Sequence, residues 1–131
     1  MTTRRQALVL AATLLAAGWP AAGHAAEPVP YDATAFEAAQ GAGRPILVQI
    51  SAPWCPICRA QKPILAALAA EPRFRDLAVF TIDFDSRRDL VRRFGARMQS
   101  TLIVYRGKAE VGRLVGEAQA EWIEQLLEKA L

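Results

Sequence analysis

The fold is decided by residues 46–58, whose sequence is ILVQISAPWCPIC. The mostly apolar residues at 46–50 have the length and composition of a buried central strand. A short loop follows, and Cys55 then opens a helical pattern that extends to about Ala70. We therefore predict a strand, a loop and a helix, with the only two cysteines of the chain, Cys55 and Cys58, in the first turn of that helix.

The predicted position of Cys55 at a helix N-terminus gives its sulfur a chemical role. The first N–H groups of a helix have no partner within the helix, and the helix dipole places positive charge there. These groups favour thiolate over thiol, so we expect the pKa of Cys55 to fall from about 8.5 to roughly 3.5–7.5. Thiolate is the attacking species in disulfide exchange. Cys58 is predicted to be more buried and close enough to resolve a mixed disulfide, and Pro56 suits the first turn because it has no N–H.

Apolar periodicity on both sides of this stretch predicts an alternating α/β domain. Helices are predicted at 33–40, 55–70, 85–94 and 119–131, and strands at 46–50, 77–82, 101–105 and 110–115. Pro28 and Pro30 form an extended lead-in, Asp85 or Ser86 caps the third helix, and Trp122 lies in the core. This order of elements implies a mixed sheet of four to five strands with helices on both faces.

Composition excludes several classes of protein. A chain of 131 residues is the size of one domain. The net charge is +3, from 16 Lys+Arg and 13 Asp+Glu, which is not the basic excess of a nucleic-acid-binding protein. Two cysteines are too few for a disulfide-dense scaffold or for a four-ligand zinc site within one chain.

Residues 1–25 have the composition of a secretory signal peptide. Arg4 and Arg5 precede an apolar run at 7–17, and small residues follow, so we predict cleavage after Ala25. The apolar run is shorter than the ~20 residues that span a bilayer. An uncleaved membrane anchor is the alternative.

The motif Thr3-Arg4-Arg5 resembles the start of a twin-arginine export signal. The predicted organisation is therefore a signal peptide at 1–25, of Sec or twin-arginine type, and one α/β domain at 26–131. Either export route delivers the domain to the periplasm of a bacterium. That compartment is oxidising, so two cysteines there must be paired, protected or catalytic.

A Cys-x-x-Cys spacing also occurs in metal sites and in structural disulfides. The only histidine, His24, lies in the segment predicted to be removed, so one chain does not complete a zinc site. A metal or iron–sulfur site with four thiolates from two chains remains open. A structural disulfide also remains open, although a bond across two intervening residues constrains the unfolded chain little.

The motif and its surroundings resemble the thioredoxin family. The shared features extend over nearly the whole predicted domain and are residues 46–48, Ala52-x-Trp54-Cys55-x-x-Cys58, Pro63, Asp85, Phe94-Gly95, residues 101–104 and Val115-Gly116. The resemblance implies the thioredoxin fold, with Cys55 as the nucleophile and Cys58 as the resolving cysteine. Trp54 is expected to flank the substrate groove, and Pro56 and Ile57 are expected to tune the reduction potential.

Three positions depart from the family pattern. Thioredoxins usually carry a buried aspartate and a neighbouring lysine where this chain has Gln49 and Thr81. Glutamine does not titrate, so we expect slower or water-assisted deprotonation of the resolving thiol. Ser100, just before Thr101, replaces a cis-proline beside which substrate backbone usually pairs. A cis bond before a non-proline residue costs about 2.5–4 kcal/mol, so we predict a trans Gln99–Ser100 bond, with the N–H and hydroxyl of Ser100 available to a sulfur.

The resemblance implies an extracytoplasmic thiol–disulfide oxidoreductase, acting mainly as a reductase of protein disulfides in cytochrome c maturation or disulfide repair. A membrane thiol reductant would restore the dithiol of Cys55 and Cys58. The enzyme is expected to be a monomer that needs no metal and no cofactor beyond its redox-active disulfide. A disulfide oxidase or isomerase on the same fold, and a metal- or cluster-binding dimer held through both cysteines, are the alternatives.

Overall fold

The computed structural model describes residues 26–131, and the signal peptide predicted at 1–25 lies outside the described residues. In chain order, the elements are β1 (Val29–Pro30), α1 (Ala33–Gly41), β2 (Pro45–Ser51), α2 (Pro56–Ala69), a 3-10 helix (Pro72–Phe74), β3 (Ala78–Asp83), α3 (Arg88–Arg93), β4 (Thr101–Arg106), β5 (Ala109–Val115) and α4 (Ala120–Glu128). Most of the predicted boundaries agree with these to within one to three residues. The short β1 strand forms within the predicted extended lead-in, and the 3-10 helix was not predicted.

Strand β2 lies at the centre of one mixed sheet with the strand order β1-β3-β2-β4-β5. It pairs in parallel with β3 on one side and antiparallel with β4 on the other. All five residues from Ile46 to Ile50 are buried, as expected for a strand whose two faces are both covered. The prediction of a mixed α/β sheet flanked by helices on both faces is confirmed.

Side chains alternate along β2 between two apolar cores. Val48 belongs to the core that contains residues of α1 and α3. Leu47 belongs to the core that contains Leu65 and Leu68 of α2, together with residues of α4. Because side chains alternate along a strand, Gln49 points to the same face as Leu47. The sheet thus places Gln49 beneath α2, the helix that carries the cysteines.

The prediction that Trp122 lies in the core is wrong, because 51% of this residue is exposed. The buried stripe of α4 is formed by Ile123, Leu126 and Leu127. Successive residues of an α-helix are separated by about 100° around its axis. Trp122 therefore lies at the side of the buried stripe and not within it.

Among residues 26–131, no helix combines the length and the apolar character needed to cross a membrane.

The start of α3 differs from the prediction that Asp85 or Ser86 caps it. The helix begins at Arg88 and has no side-chain cap from its N-cap residue. Asp83, the last residue of β3, instead organises the preceding turn: its Oδ1 accepts hydrogen bonds from the backbone N–H of Asp85 at 3.1 Å and of Ser86 at 2.8 Å. These bonds, with that of Ser86 the stronger cause, lower the pKa of Asp83.

Replacement of Asp83 by alanine is expected to lower the free energy of unfolding by about 1 kcal/mol at pH 7, the usual contribution of a side chain that caps backbone N–H groups. A folded-state pKa below the unfolded value of about 3.9 stabilises the protein above that value, and this stabilisation is lost as the pH falls through the folded pKa. Urea unfolding at pH 7, 5 and 3 should therefore show the difference shrinking at the lowest pH. The matched control, Asp83→Asn, keeps an acceptor oxygen but has no titrating group at this position, so the difference in free energy of unfolding between Asp83→Asn and Asp83→Ala should be the same at all three pH values. An equal difference between the unchanged protein and Asp83→Ala at pH 3 and pH 7 would contradict this account.

Candidate active site

The two cysteines lie at the edge of the sheet where β2 ends and β4 begins. Ile50, near the end of β2, pairs with Thr101, the first residue of the antiparallel β4. The loop that follows β2 leads into Cys55, and the loop that precedes β4 contains Ser100. The sheet register therefore brings two segments that are more than forty residues apart in the chain to one edge.

Cys55 is the N-cap residue of α2 and is joined by a disulfide bond to Cys58. The sulfur of Cys55 accepts a hydrogen bond from the backbone N–H of Cys58 at 3.1 Å. Pro56 occupies the first turn of the helix, where its lack of an N–H leaves no donor unpaired. After reduction of the disulfide, the same N–H is placed to stabilise a thiolate on Cys55.

Both sulfur-bearing residues are buried in this oxidised state. Cys55 is 1% exposed and Cys58 is 0% exposed, so the predicted contrast in burial between them is not observed. The reason is geometric: the side chain of Cys55 turns inward to cap the helix and to bond with Cys58. The adjoining Trp54 and Ile57 are exposed, so the disulfide is flanked by apolar side chains that face solvent.

The indole of Trp54 is fixed by a residue that was predicted to cap a helix. Its Nε1–H donates a hydrogen bond to Oδ2 of Asp85 at 2.7 Å. Asp85 lies in the turn organised by Asp83, just beyond β3. The end of β3 thus orients the aromatic side chain next to Cys55.

Gln49 and Thr81 lie opposite each other on β2 and β3, where the family resemblance placed a buried carboxylate and a lysine. Gln49 is 4% exposed. Both residues line a cavity of about 480 Å³ between α2 and the sheet, and Lys62 of α2 lines it as well. On the α2 side of this cavity the charged side chain is therefore Lys62, and the side chain of Gln49 on the β2 side is an uncharged amide.

The Gln99–Ser100 peptide bond is trans, as predicted. Ser100 is buried and has a φ of 59°, in the left-handed region that few residues other than glycine adopt. Its hydroxyl was expected to be available to a sulfur, but it donates to the carbonyl oxygen of Gln99. The hydroxyl of Thr101 donates to the carbonyl oxygen of Met98 at 2.7 Å. Both side chains therefore stabilise the loop before β4.

Sequence reasoning did not identify Gln61, which connects the helix of the cysteines to this loop. Its side chain is 0% exposed. Nε2 donates to the carbonyl oxygen of Ser100 at 3.3 Å and to that of Glu117 at 2.8 Å. The sequence carried one signal for it: a glutamine three residues after Cys58, on the face of α2 that is otherwise apolar.

An α/β fold that holds two cysteines as a disulfide at a helix N-terminus, flanked by exposed apolar side chains, defines a thiol–disulfide exchange site. The sequence profile of the thioredoxin family matches residues 28–129. The chain belongs to the thioredoxin family, and it is a thioredoxin-type thiol–disulfide oxidoreductase. Thioredoxins act on protein disulfides and need no cofactor.

Individual proteins show the same relationship. The crystal structure of Trxlp from Edwardsiella tarda has 40% sequence identity, covers 77% of this chain and 98% of its own, and superimposes with a TM-score of 0.74. Thioredoxin 1 of Nostoc is 30% identical over 87 residues, which are 66% of this chain and 80% of that protein. Thioredoxin H2-1 of rice is 32% identical over 76 residues, which are 58% of this chain and 54% of that protein. The chain thus spans only about half the length of the rice protein.

Proposed function

We propose that the chain acts outside the cytoplasm as a reductase of protein disulfides, in cytochrome c maturation or disulfide repair, and that a membrane thiol reductant restores its dithiol. The proposed location rests on the sequence of residues 1–25, with its two arginines, its apolar run and its small-residue end. The protein would act as a monomer after cleavage behind Ala25.

The reaction consists of two exchange steps between sulfur atoms. The thiolate of Cys55 attacks one sulfur of a substrate disulfide, forming a mixed disulfide and releasing the other sulfur as a thiol. Cys58 then loses its proton and attacks the sulfur of Cys55, which releases the second substrate thiol and leaves the Cys55–Cys58 disulfide. Two electrons pass to the substrate, and a dithiol of the membrane reductant supplies two electrons to reduce the enzyme again.

The observation that carries the choice of a protein substrate is an apolar rim around the disulfide, formed by Trp54, Ile57, Met98 and Val115. All four side chains are exposed, between 38% and 54%. Trp54 and Ile57 adjoin the cysteines, Met98 belongs to the loop before β4, and Val115 pairs with Thr101 at the end of β5. Exposed apolar groups on several segments suit the binding of an extended polypeptide near its disulfide.

The choice of reductase over oxidase is supported by the small size of the described domain. Within residues 26–131, the connections between the elements are short and no additional helical domain is inserted. The hydrogen bond from the N–H of Cys58 to the sulfur of Cys55 favours action as an oxidase, because a stabilised thiolate favours the reduced form of the enzyme and makes its disulfide a stronger oxidant. An oxidase or isomerase is therefore the second candidate, and the reduction potential separates the two.

The test uses protein recovered from the periplasmic fraction of an expressing bacterium, where an N-terminus at Ala26 is expected. Equilibration with glutathione buffers, followed by alkylation of free thiols, gives the reduction potential. A reductase is expected near the value of about −270 mV found for thioredoxin, and a value near −120 mV would identify an oxidant. Recovery of uncleaved protein from the cytoplasm alone would overturn the proposed location.

A further inference from the structure

Gln61 presents an unusual combination of burial and incomplete hydrogen bonding. The two N–H groups of its amide point at two carbonyl oxygens, those of Ser100 and Glu117. Both carbonyl oxygens are acceptors, so the NH2 group of the amide must face them. This requirement fixes the orientation of the amide, and Oε1 is directed away from the two carbonyl oxygens. Oε1 is buried and accepts no hydrogen bond from any group in the part of the chain that the structure describes.

A buried acceptor without a donor is costly, so native proteins leave few of them. The position of Gln61 on α2 indicates where its donor comes from. Residues three apart on a helix are neighbours, and side chains of a helix lean toward its N-terminus. Gln61 therefore extends back over the turn that contains Cys58, and both residues are 0% exposed.

The oxidation state of Cys58 decides whether a donor is present. In the disulfide, the sulfur of Cys58 carries no proton. Reduction by two glutathione thiols breaks the Cys55–Cys58 bond and oxidises the glutathione to its disulfide. Of the two protons given up by the glutathione thiols, one protonates Cys58, and the other passes to solvent when Cys55 is a thiolate or to Cys55 when it is a thiol. The resulting S–H group of Cys58 is a donor, and it is created in a buried place where it needs an acceptor.

We propose that Oε1 of Gln61 accepts a hydrogen bond from the thiol of Cys58 when the disulfide is reduced, so that Gln61 is a positioning residue that favours the dithiol form. The oxidised form carries the orphaned acceptor, whereas the reduced form satisfies both acceptor and thiol. Gln61 therefore raises the reduction potential above the value that an apolar residue would give. The same amide is anchored to Ser100 and Glu117, which ties this contact to the loop before β4.

The test compares the reduction potential of Gln61→Met with that of the unchanged protein. Methionine has a similar length and is apolar, so it removes the orphaned acceptor from the oxidised form and the thiol's partner from the reduced form. The equilibrium constant for reduction by glutathione is expected to fall about fivefold, which corresponds to about 20 mV. A fall of at least twofold supports the proposal, and a smaller fall or an increase overturns it. The matched control, Gln125→Met on the exposed side of α4, should leave the constant unchanged.

Loss of the two bonds to carbonyl oxygens also weakens the fold, but it does so in both oxidation states. Urea unfolding of the oxidised and reduced forms should therefore show that Gln61→Met lowers the free energy of unfolding more in the reduced form than in the oxidised form.

If that variant does not fold, infrared spectroscopy of Cys55→Ala protein, in which Gln61 is retained, provides the readout. The S–H stretching band of Cys58 should be shifted to lower frequency than that of an unbonded thiol, and an unshifted band overturns the proposal. Because the comparison is between variants, its outcome is independent of whether the enzyme acts as a reductase or an oxidase.

Discussion

Replacement of Cys55 by serine is expected to lower the rate of insulin disulfide reduction by more than about 1000-fold, because a serine hydroxyl does not replace a thiolate as the attacking group. The fold should survive this change. Serine is among the preferred N-cap residues, and its oxygen can accept the hydrogen bond that the N–H of Cys58 now donates to sulfur. The lost disulfide has a sequence separation of only 3, so the loss of its loop-closure effect costs about 2 kcal/mol.

The measurement is the turnover of insulin with dithiothreitol as electron donor, together with the far-ultraviolet circular dichroism of the variant. A folded protein without activity is the expected result. Retention of a tenth or more of the activity in a folded Cys55→Ser protein would contradict the role of Cys55 as nucleophile. Retained activity would instead indicate Cys58, the only other cysteine of the chain, as the nucleophile.

Replacement of Cys58 by serine is expected to have an equally large effect of a different kind: the enzyme should accumulate as a stable mixed disulfide with its substrates. Cys55 can still attack a substrate, but without a resolving thiol the second exchange step is blocked. Incubation with an extract of periplasmic proteins, followed by electrophoresis without reducing agent, should show adducts that disappear on addition of dithiothreitol. Mass spectrometry of those adducts would identify the substrates.

The matched controls for this experiment are the Cys55→Ser variant and the double variant with both cysteines replaced. Neither should form adducts, because the Cys55→Ser variant lacks the sulfur that the N–H of Cys58 is placed to stabilise as a thiolate, and the double variant has no thiol. Adducts formed by Cys55→Ser in amounts equal to those of Cys58→Ser would contradict the assignment of Cys55 alone as the attacking cysteine. Adducts formed by the double variant would show that the bonds do not involve this motif.

The central part of the fold was predictable from short stretches of sequence. The run at 46–50 is apolar at nearly every position, which is typical of a strand covered on both faces, and it became the central strand β2. Cys55 and Pro56 indicated the start of α2, because a capping atom and a residue without an N–H both suit a helix N-terminus. These signals are local, so they do not depend on how the rest of the chain packs.

The errors arose where the partner of a side chain is distant in the sequence. Asp85 was a reasonable helix cap by its local surroundings, but the indole of Trp54, 31 residues earlier, competes for its carboxylate. Trp122 has the spacing of a core residue, yet the direction in which α4 packs leaves it at the side of the buried stripe. In the first case a distant hydrogen bond and in the second the packing of a whole helix overrode a local preference.

By itself, the sequence determined that both cysteines lie at the start of a helix that follows a buried strand, a position that favours a thiolate and therefore thiol–disulfide exchange. Only the tertiary structure decided what surrounds that site. The sheet register carries the loop of Ser100 to the edge where β2 ends. The amide of Gln61 hydrogen-bonds to that loop, 39 residues later in the chain, and to the loop between β5 and α4, 56 residues later. Such contacts follow from the packing of whole elements, and no local pattern of residues encodes them.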